Sequence, residues 1–329
     1  MRDISVVIPA RNEHPAATFT LQAIWDQLEG SPWDWETILV DNLSEDKTDS
    51  FCKNRYWHAK GRHKIVEYTE KGSCWGARNA GLSVAEGRLI FLFDAHVLVS
   101  PDLFAKQIHT FDAIPSATVL YTPVIWMGDS RCHTAYGYSL GENNGHMKTK
   151  FWGSWTKRKQ SDEPYRIPMS GTAGIAVRRE FLERIGGWPA PLSVYGGGEQ
   201  WISLACWMLG GECWIDPRTY VYHLADTRGY AGSQDERKFS TNDAHMFNVL
   251  LVSYALGGEK WWLHRLQWVM SESNPHAWKK QYHEALRKIA HMAKDEGEPY
   301  RQFIEANAVH SLDEVLEINP WEMAPVGGD

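Results

Sequence analysis

An aspartate and a histidine separated by one residue follow an apolar run in the first third of the chain. The five apolar residues Leu89–Phe93 predict a buried strand that ends just before Asp94. Because side chains alternate along a strand, Asp94 and His96 should point the same way at its carboxyl end. A carboxylate and an imidazole together suit a divalent ion such as Mn²⁺. The alternative is an ordinary surface Asp and His that close a strand.

A second carboxylate, Glu199, follows three consecutive glycines. Gly196–Gly198 would let backbone and substrate approach closely and would bring Glu199 into a tight site. The apolar run Trp201–Leu209 predicts a helix directly after it. Glu199 is therefore a candidate general base, or a group that orients an acceptor. The alternative is a carboxylate that complements the dipole at a helix N-terminus.

Four short apolar runs predict the fold of the first half. They cover residues 4–8, 37–40, 65–68 and 89–93, with helical patterns at 15–28 and 73–85. Strands and helices in this alternation are typical of a parallel sheet with crossover helices. The predicted fold class is α/β, a Rossmann-like, mostly parallel sheet with flanking helices.

Polar residues end the predicted strands at the sheet edge where open α/β sheets bind ligands. A carboxylate there can accept hydrogen bonds from a base or a ribose, and an arginine can pair with a diphosphate. The candidate nucleotide-binding residues are Pro9, Arg11, Glu13, Asp41, Arg78 and Asp94. For Arg78 alone, a solvated surface arginine is an equally good interpretation. No G-x-G-x-x-G fingerprint or P-loop occurs, so neither dinucleotide chemistry nor ATP hydrolysis is favoured.

The second half is less regular at first and helical at its end. Residues 121–168 predict an irregular region, in which Met147–Lys159 carries five basic residues and three aromatic ones. That composition suits a polyanion with stackable bases, or simply a solvated basic loop. Strands are predicted near 171–177, 213–215 and 219–223, and helices at 179–185, 242–256, 260–270 and 275–294. We expect a catalytic domain over residues 1–241 and a C-terminal helical extension over 242–329.

Composition excludes few function classes. The net charge of −7 makes the protein as a whole a poor electrostatic partner for nucleic acid. Five cysteines without a C-x-x-C pair predict reduced thiols and hence a cytoplasmic protein. No signal peptide or run of membrane-spanning length is seen, so we expect no membrane partner.

The motifs in their order resemble those of GT-A glycosyltransferases. The start, Ile4–Glu13, and Val40-Asp41-Asn42 resemble the nucleotide-binding half of family 2 enzymes. The later motifs are similar to the D-x-H, small-residue strand, W-G-G-E, C-G-G and V-x-H of the polypeptide N-acetylgalactosaminyltransferases. The counterparts here are Asp94-Ala95-His96, Ser170–Gly174, Gly197-Gly198-Glu199, Leu209-Gly210-Gly211 and Val221-Tyr222-His223. The resemblance covers roughly residues 3–250.

The resemblance implies roles for individual residues. It makes Asp94, His96 and His223 the ligands of Mn²⁺ or Mg²⁺, which bridges the diphosphate of a UDP-sugar. It gives Arg228 and Tyr230 to a mobile loop over the nucleotide sugar, and catalytic roles to Glu199 and Asp94. One departure is Gly196, which stands where the family has tryptophan. We also expect no C-terminal lectin domain.

These implications predict a metal-dependent hexosyl- or N-acetylhexosaminyltransferase that acts on an acceptor hydroxyl, with retention favoured. The acceptor classes are a hydroxymethylated DNA base, a protein Ser/Thr and a glycan. The alternative is a non-catalytic sugar- or nucleic-acid-binding protein on a decayed transferase fold. A metal-dependent nucleotidyltransferase or a sugar hydrolase has only fold analogy in its favour.

Overall fold

A computed structural model of the chain describes residues 2–53, 61–70, 73–127, 134–139, 154–156, 159–193, 196–224, 242–270 and 283–317. The strands, in chain order, are β1 (Arg2–Ala10), β2 (Trp35–Asp41), β3 (His63–Glu67), β4 (Gly87–Phe93), β5 (Val97–Val99), β6 (Ala117–Tyr121), β7 (Val124–Trp126), β8 (Thr134–Ala135), β9 (Tyr138–Ser139), β10 (Ser154–Trp155), β11 (Tyr165–Arg166), β12 (Gly174–Arg178), β13 (Glu212–Ile215) and β14 (Val221–His223). The helices are α1 (Ala16–Leu28), α2 (Cys74–Leu82), α3 (Leu103–Ala113), α4 (Arg179–Ile185), α5 (Gly198–Met208), α6 (Asn242–Met270), α7 (His283–Asn307) and α8 (Leu312–Glu317).

The first four strands form the parallel part of an eight-stranded sheet. Strand β1 lies between β4 and β2, and β3 pairs with β2 at the edge, all in parallel. The apolar runs of β1, β2 and β4 are almost wholly buried, as expected of strands covered on both faces. The parallel register brings the carboxyl ends of these strands to one edge, which confirms the predicted fold class.

The rest of the large sheet is mixed rather than parallel. Strand β12 lies between β4 and β6 and runs antiparallel to both, and β13 pairs parallel with β6. The full order is β11-β13-β6-β12-β4-β1-β2-β3. Neither β6 nor α3 was identified from the sequence, although Pro101 and Pro115 lie just before them.

A second sheet of four short strands stands beside the first, in the order β5-β14-β7-β8. Its strands come partly from the region that the sequence predicted to be irregular. Strand β14 pairs antiparallel with β5, so His223 lies opposite Val97, and parallel with β7, so His223 also lies opposite Trp126. This pairing carries residue 223 to the segment directly after β4.

The C-terminal helices pack on the catalytic part of the chain and share its apolar core. Helix α6 is broken at Gly258, which has φ 66° and ψ −160°, as the predicted boundary between 256 and 260 implies. The Asn248 side chain donates to the carbonyl of Ser193 at 2.6 Å and accepts from its N–H at 3.1 Å. Helix α6 therefore fixes the segment that leads to Glu199. The division of the chain after residue 241 stays a prediction.

Two further findings concern the helices and the cysteines of the described residues. Within the described ranges, no helix is both long enough and apolar enough to cross a bilayer. Cys52, Cys74, Cys206 and Cys213 are free thiols.

The start of α5 is packed too tightly for a side chain at residue 198. A Cβ at Gly198 would lie 2.4–2.5 Å from ring atoms of Trp75. Trp75 is 1% exposed and stacks on Trp188 with ring centroids 5.6 Å apart, so its ring has little room to move. Trp188 in turn donates its indole N–H to the Gly198 carbonyl at 3.1 Å.

We therefore expect Gly198→Ala to lower the free energy of unfolding by about 1–3 kcal/mol, the usual cost of overpacking a core. The measurement is urea unfolding of the single variants Gly198→Ala and Trp75→Leu and of the double variant. Because the smaller side chain removes the clash, the double variant should lose clearly less than the sum of the singles. If the loss of unfolding free energy in the double variant equalled the sum of the two single losses, the clash between residue 198 and Trp75 would be contradicted.

Candidate active site

The carboxyl end of β4 and the end of β14 meet at the edge of the large sheet. The N–H of Asp94 donates to the carbonyl of Ala173 on the neighbouring chain segment at 3.3 Å. The N–H of Leu224 donates to the carbonyl of His96 at 2.9 Å, and that of Met127 to the carbonyl of His223 at 2.9 Å. Backbone hydrogen bonds therefore hold residues 94–96 beside residue 223.

Three side chains converge there: Asp94, His96 and His223. One potential ligand atom from each lies within 4.8 Å of the others. His223 Nε2 is 3.3 Å from Asp94 Oδ2, and the two imidazole rings are nearly perpendicular with centroids 4.7 Å apart. One oxygen and two nitrogen donors at this spacing fit a divalent ion such as Mn²⁺. The structure thus brings the three predicted ligands together, and their binding of a metal stays a prediction.

The charge of Asp94 is stabilised from the neighbouring helix. Arg78 on α2 donates to Asp94 Oδ1 at 2.7 Å, and the Arg78 side chain is only 4% exposed. Burial raises the pKa of the Asp94 carboxyl, but the hydrogen bond from His223 and the charge of Arg78 lower it by more. The net pKa lies well below the usual value, so Asp94 is an anion at neutral pH. Arg78 was predicted to pair with a diphosphate; it contacts this carboxylate, and its contact with a diphosphate stays a prediction.

Glu13 lies against His96. Its carboxylate Oε2 is 3.0 Å from His96 Nδ1, and the residue is 7% exposed. The Glu13 N–H donates to Thr48 Oγ1 at 2.8 Å, which anchors the loop after β1 to the loop after β2. Glu13 was predicted to be among the nucleotide-binding residues, and its carboxylate contacts an imidazole.

The other candidates for nucleotide binding lie at the same edge. Asp41 is opposite Ala10 in the β1–β2 register, and its Oδ1 accepts from the N–H of Ser44 at 3.0 Å. Pro9, Arg11 and Asp41 are half-buried. Nucleotide binding by these residues stays a prediction. Arg228, Tyr230 and most of Met147–Lys159 lie outside the described residues.

Glu199 lies in the first turn of α5, after two glycines with positive φ (Gly196, 96°; Gly197, 79°). It is 6% exposed and accepts a hydrogen bond from Thr172 Oγ1 at 3.4 Å. Burial raises the pKa of the Glu199 carboxyl, the positive charge of Arg78 lowers it, and the anion Asp94 raises it further, with a net upward shift. Glu199 therefore lies where the charges of Arg78 and Asp94 affect it, and its catalytic role stays a prediction.

Two residues of the site, Trp126 and Thr172, were given no role from the sequence. The Trp126 ring packs on His223 with centroids 4.2 Å apart, and Thr172 bonds Glu199. The apolar run 124–126 was a signal for a strand, but the region around it was predicted to be irregular. Thr172 lies inside the small-residue motif Ser170–Gly174, and its contact with the distant Glu199 could not be predicted from that motif.

The chain is similar in sequence to known proteins. Residues 5–186, more than half of the chain, match the family described as glycosyl transferase family 2. N-acetylgalactosaminyltransferase 4 of Drosophila melanogaster is 25% identical over 237 residues, covering 68% of this chain and 35% of the relative. The inactive polypeptide N-acetylgalactosaminyltransferase-like protein 5 of Macaca fascicularis is 26% identical over 230 residues, covering 67% and 51%. The chain thus spans about a third to a half of the length of these curated relatives.

Solved structures show the same fold. GalNAc-T7 with UDP, GalNAc and Mn²⁺ superposes with a TM-score of 0.71 at 18% identity, covering 98% of this chain and 58% of that one. TarS 1–349 of S. aureus superposes with a TM-score of 0.54 at 15% identity, covering 92% and 90%. Together with the family match over residues 5–186, the fold and the edge-site geometry lead to one conclusion: the chain belongs to glycosyl transferase family 2.

Proposed function

We propose that the chain is a metal-dependent glycosyltransferase that moves a sugar from a UDP-sugar to an acceptor hydroxyl. The observation that carries the proposal is the convergence of Asp94, His96 and His223 within 4.8 Å at the carboxyl edge of the sheet. Open α/β sheets bind their ligands at this edge. The named relatives and the structural neighbour with UDP, GalNAc and Mn²⁺ support a UDP-sugar donor.

In the transfer, the bond between the anomeric carbon and the diphosphate oxygen breaks, and a bond to the acceptor oxygen forms. The diphosphate leaves with the electron pair, and the acceptor hydroxyl loses its proton. A divalent ion held by Asp94, His96 and His223 would act as a Lewis acid toward the negative charge of the leaving group. Arg78 keeps Asp94 ionised and oriented for that purpose. We assign the binding of the nucleoside to Pro9, Arg11 and Asp41, which lie at the same edge.

We assign Glu199 to the acceptor side of the reaction and favour retention of the anomeric configuration. The resemblance to the N-acetylgalactosaminyltransferases supports retention, in which Glu199 orients the acceptor while the leaving phosphate takes the proton. With inversion, Glu199 would be the general base. Proton NMR of the anomeric position in the first-formed product distinguishes the two outcomes.

We propose a polypeptide hydroxyl as the acceptor. The names of the relatives favour a polypeptide hydroxyl and a GalNAc donor. The DNA interpretation came from the basic segment Met147–Lys159, most of which is outside the described residues, and the net charge of −7 does not favour it. A mass-shift screen should offer Ser/Thr peptides, glycans and hydroxymethylated DNA with each UDP-sugar. A product only with DNA would overturn the preference for peptides.

A non-catalytic protein on the same fold is the competing function, since one relative is named inactive. The three converging side chains and Glu199 are all present in this chain, which supports activity. Release of UDP separates the two functions directly.

We expect UDP release from a UDP-sugar to need Mn²⁺, to stop with EDTA and to resume when Mn²⁺ is restored. Asp94→Ala should lower the rate about 1,000-fold, because stabilisation of the leaving group by a metal contributes several kcal/mol. Asp112→Asn is the matched control, since this aspartate lies on α3, is 55% exposed and pairs with Arg88. Equal rates for wild type and Asp94→Ala would refute the proposed site.

The raised pKa of Glu199 predicts how stability depends on pH. The pKa of Glu199 in the folded protein lies above its ordinary value of 4.5. Such a carboxyl contributes its full stabilisation of the fold at low pH, where it is protonated. That contribution is lost as the pH rises through the folded pKa, because the buried anion is costly. A glutamine side chain does not ionise, so Glu199→Gln should gain stability relative to wild type as the pH rises above 4.5. Urea unfolding in EDTA measures this difference, and parallel pH profiles would contradict it.

A further inference from the structure

We propose that Glu13 is a positioning residue for the metal site, which acts through His96 and does not bind the nucleotide. Its carboxylate fixes the ring orientation and the tautomer of His96, so that Nε2 carries the lone pair that the metal needs. This inference rests on the proposed function. It reassigns a residue that the sequence pattern had given to the donor.

The contact itself determines the tautomer. Glu13 Oε2 lies 3.0 Å from His96 Nδ1, and an ionised carboxylate can only accept a hydrogen bond. The hydrogen must therefore be on Nδ1. In a neutral imidazole, the other nitrogen, Nε2, then has no hydrogen and keeps its lone pair for a cation.

The loops around Glu13 hold its carboxylate in place. The Glu13 N–H donates to Thr48 Oγ1 at 2.8 Å, and the Glu13 carbonyl accepts from the N–H of Ala17 at 2.8 Å where α1 begins. The neighbouring N–H of His14 donates to Asp46 Oδ2 at 2.9 Å. These hydrogen bonds fix the backbone of Glu13 and of its neighbour His14. The Glu13 side chain is therefore preorganised to orient the His96 ring.

Burial and charge favour this role over nucleotide binding. The Glu13 side chain is 9% exposed, so little of the carboxylate is open to a ligand. A buried anion beside a diphosphate would repel it. Beside the imidazole of a cation site, the same anion makes the ring a stronger donor, and such outer contacts are worth about 10- to 100-fold in metal affinity.

Binding of Mn²⁺ to the nucleotide-free protein is the test, measured from the electron paramagnetic resonance signal of free Mn²⁺. We expect Glu13→Ala to weaken the affinity about 10- to 100-fold. Glu13→Gln should fall between Glu13→Ala and wild type, because its amide oxygen still accepts from Nδ1 but has no charge. Glu36→Gln is the matched control: Glu36 is also a buried carboxylate, 0% exposed, but it begins β2 at the opposite edge and pairs with Lys64. Its Mn²⁺ affinity should equal that of wild type.

Nitrogen NMR of the imidazoles in metal-free protein gives an independent readout. We expect His96 to be protonated on Nδ1 in wild type and to become a mixture of tautomers in Glu13→Ala. Equal Mn²⁺ affinities in folded wild type and Glu13→Ala would overturn the inference and leave the proposed function intact. No Mn²⁺ binding by wild type would instead overturn the proposed metal site, while the NMR spectrum would still decide whether Glu13 sets the tautomer.

Discussion

The active-site edge depends on keeping one carboxylate charged in a largely buried place. Asp94 retains about a quarter of its side-chain exposure, and the chain meets the cost of burying the anion with an arginine from α2 and an imidazole from β14. Removing one partner of a buried ion pair typically costs about 3–5 kcal/mol, and the remaining exposure of Asp94 places this pair toward the lower end. The same arrangement would offer a metal an oxygen ligand that is already ionised and oriented.

The need for an imidazole beside Asp94 is met by the small second sheet, which holds His223 in place. His223 reaches Asp94 only because β14 is fixed between β5 and β7. The turn before β14 is anchored by the fully buried Asp216, which accepts from Arg218 at 2.8 Å and from Thr110 on α3 at 2.8 Å. A buried hydrogen-bond network of this kind specifies one arrangement of the strand, because any slip would leave its charges without partners.

The sequence predicted the parts of this site that depend on local pattern. The apolar run Leu89–Phe93 was enough to predict β4 and its end before Asp94, and runs with β-branched residues were enough to predict β1 and β2. Strand alternation does not extend to Asp94 and His96, because both lie in the turn between β4 and β5. The pairing of Arg78 with Asp94 and of Glu13 with His96 could not be predicted, because each depends on how a helix or a loop crosses a sheet edge. Glu13 and His96 are 83 residues apart, and neither segment carries a sequence signal that the two are in contact. The antiparallel insertion of β12 was missed for the same reason, since strand direction is set by the connection and not by the strand.

The glycine at position 196, a departure from the family pattern, has a structural explanation in the C-terminal extension. A Cβ on Gly196 would lie 2.4 Å from His245 Nδ1, and one on Gly197 would lie 3.0 Å from the Asn248 carbonyl oxygen. Helix α6 therefore occupies the space into which a tryptophan at 196 would project. The same helix holds Ser193 through Asn248, so it both fills that space and sets the path of the chain into Glu199. Helix α6 therefore packs against residues 196 and 197 and leaves no room for a side chain at either position.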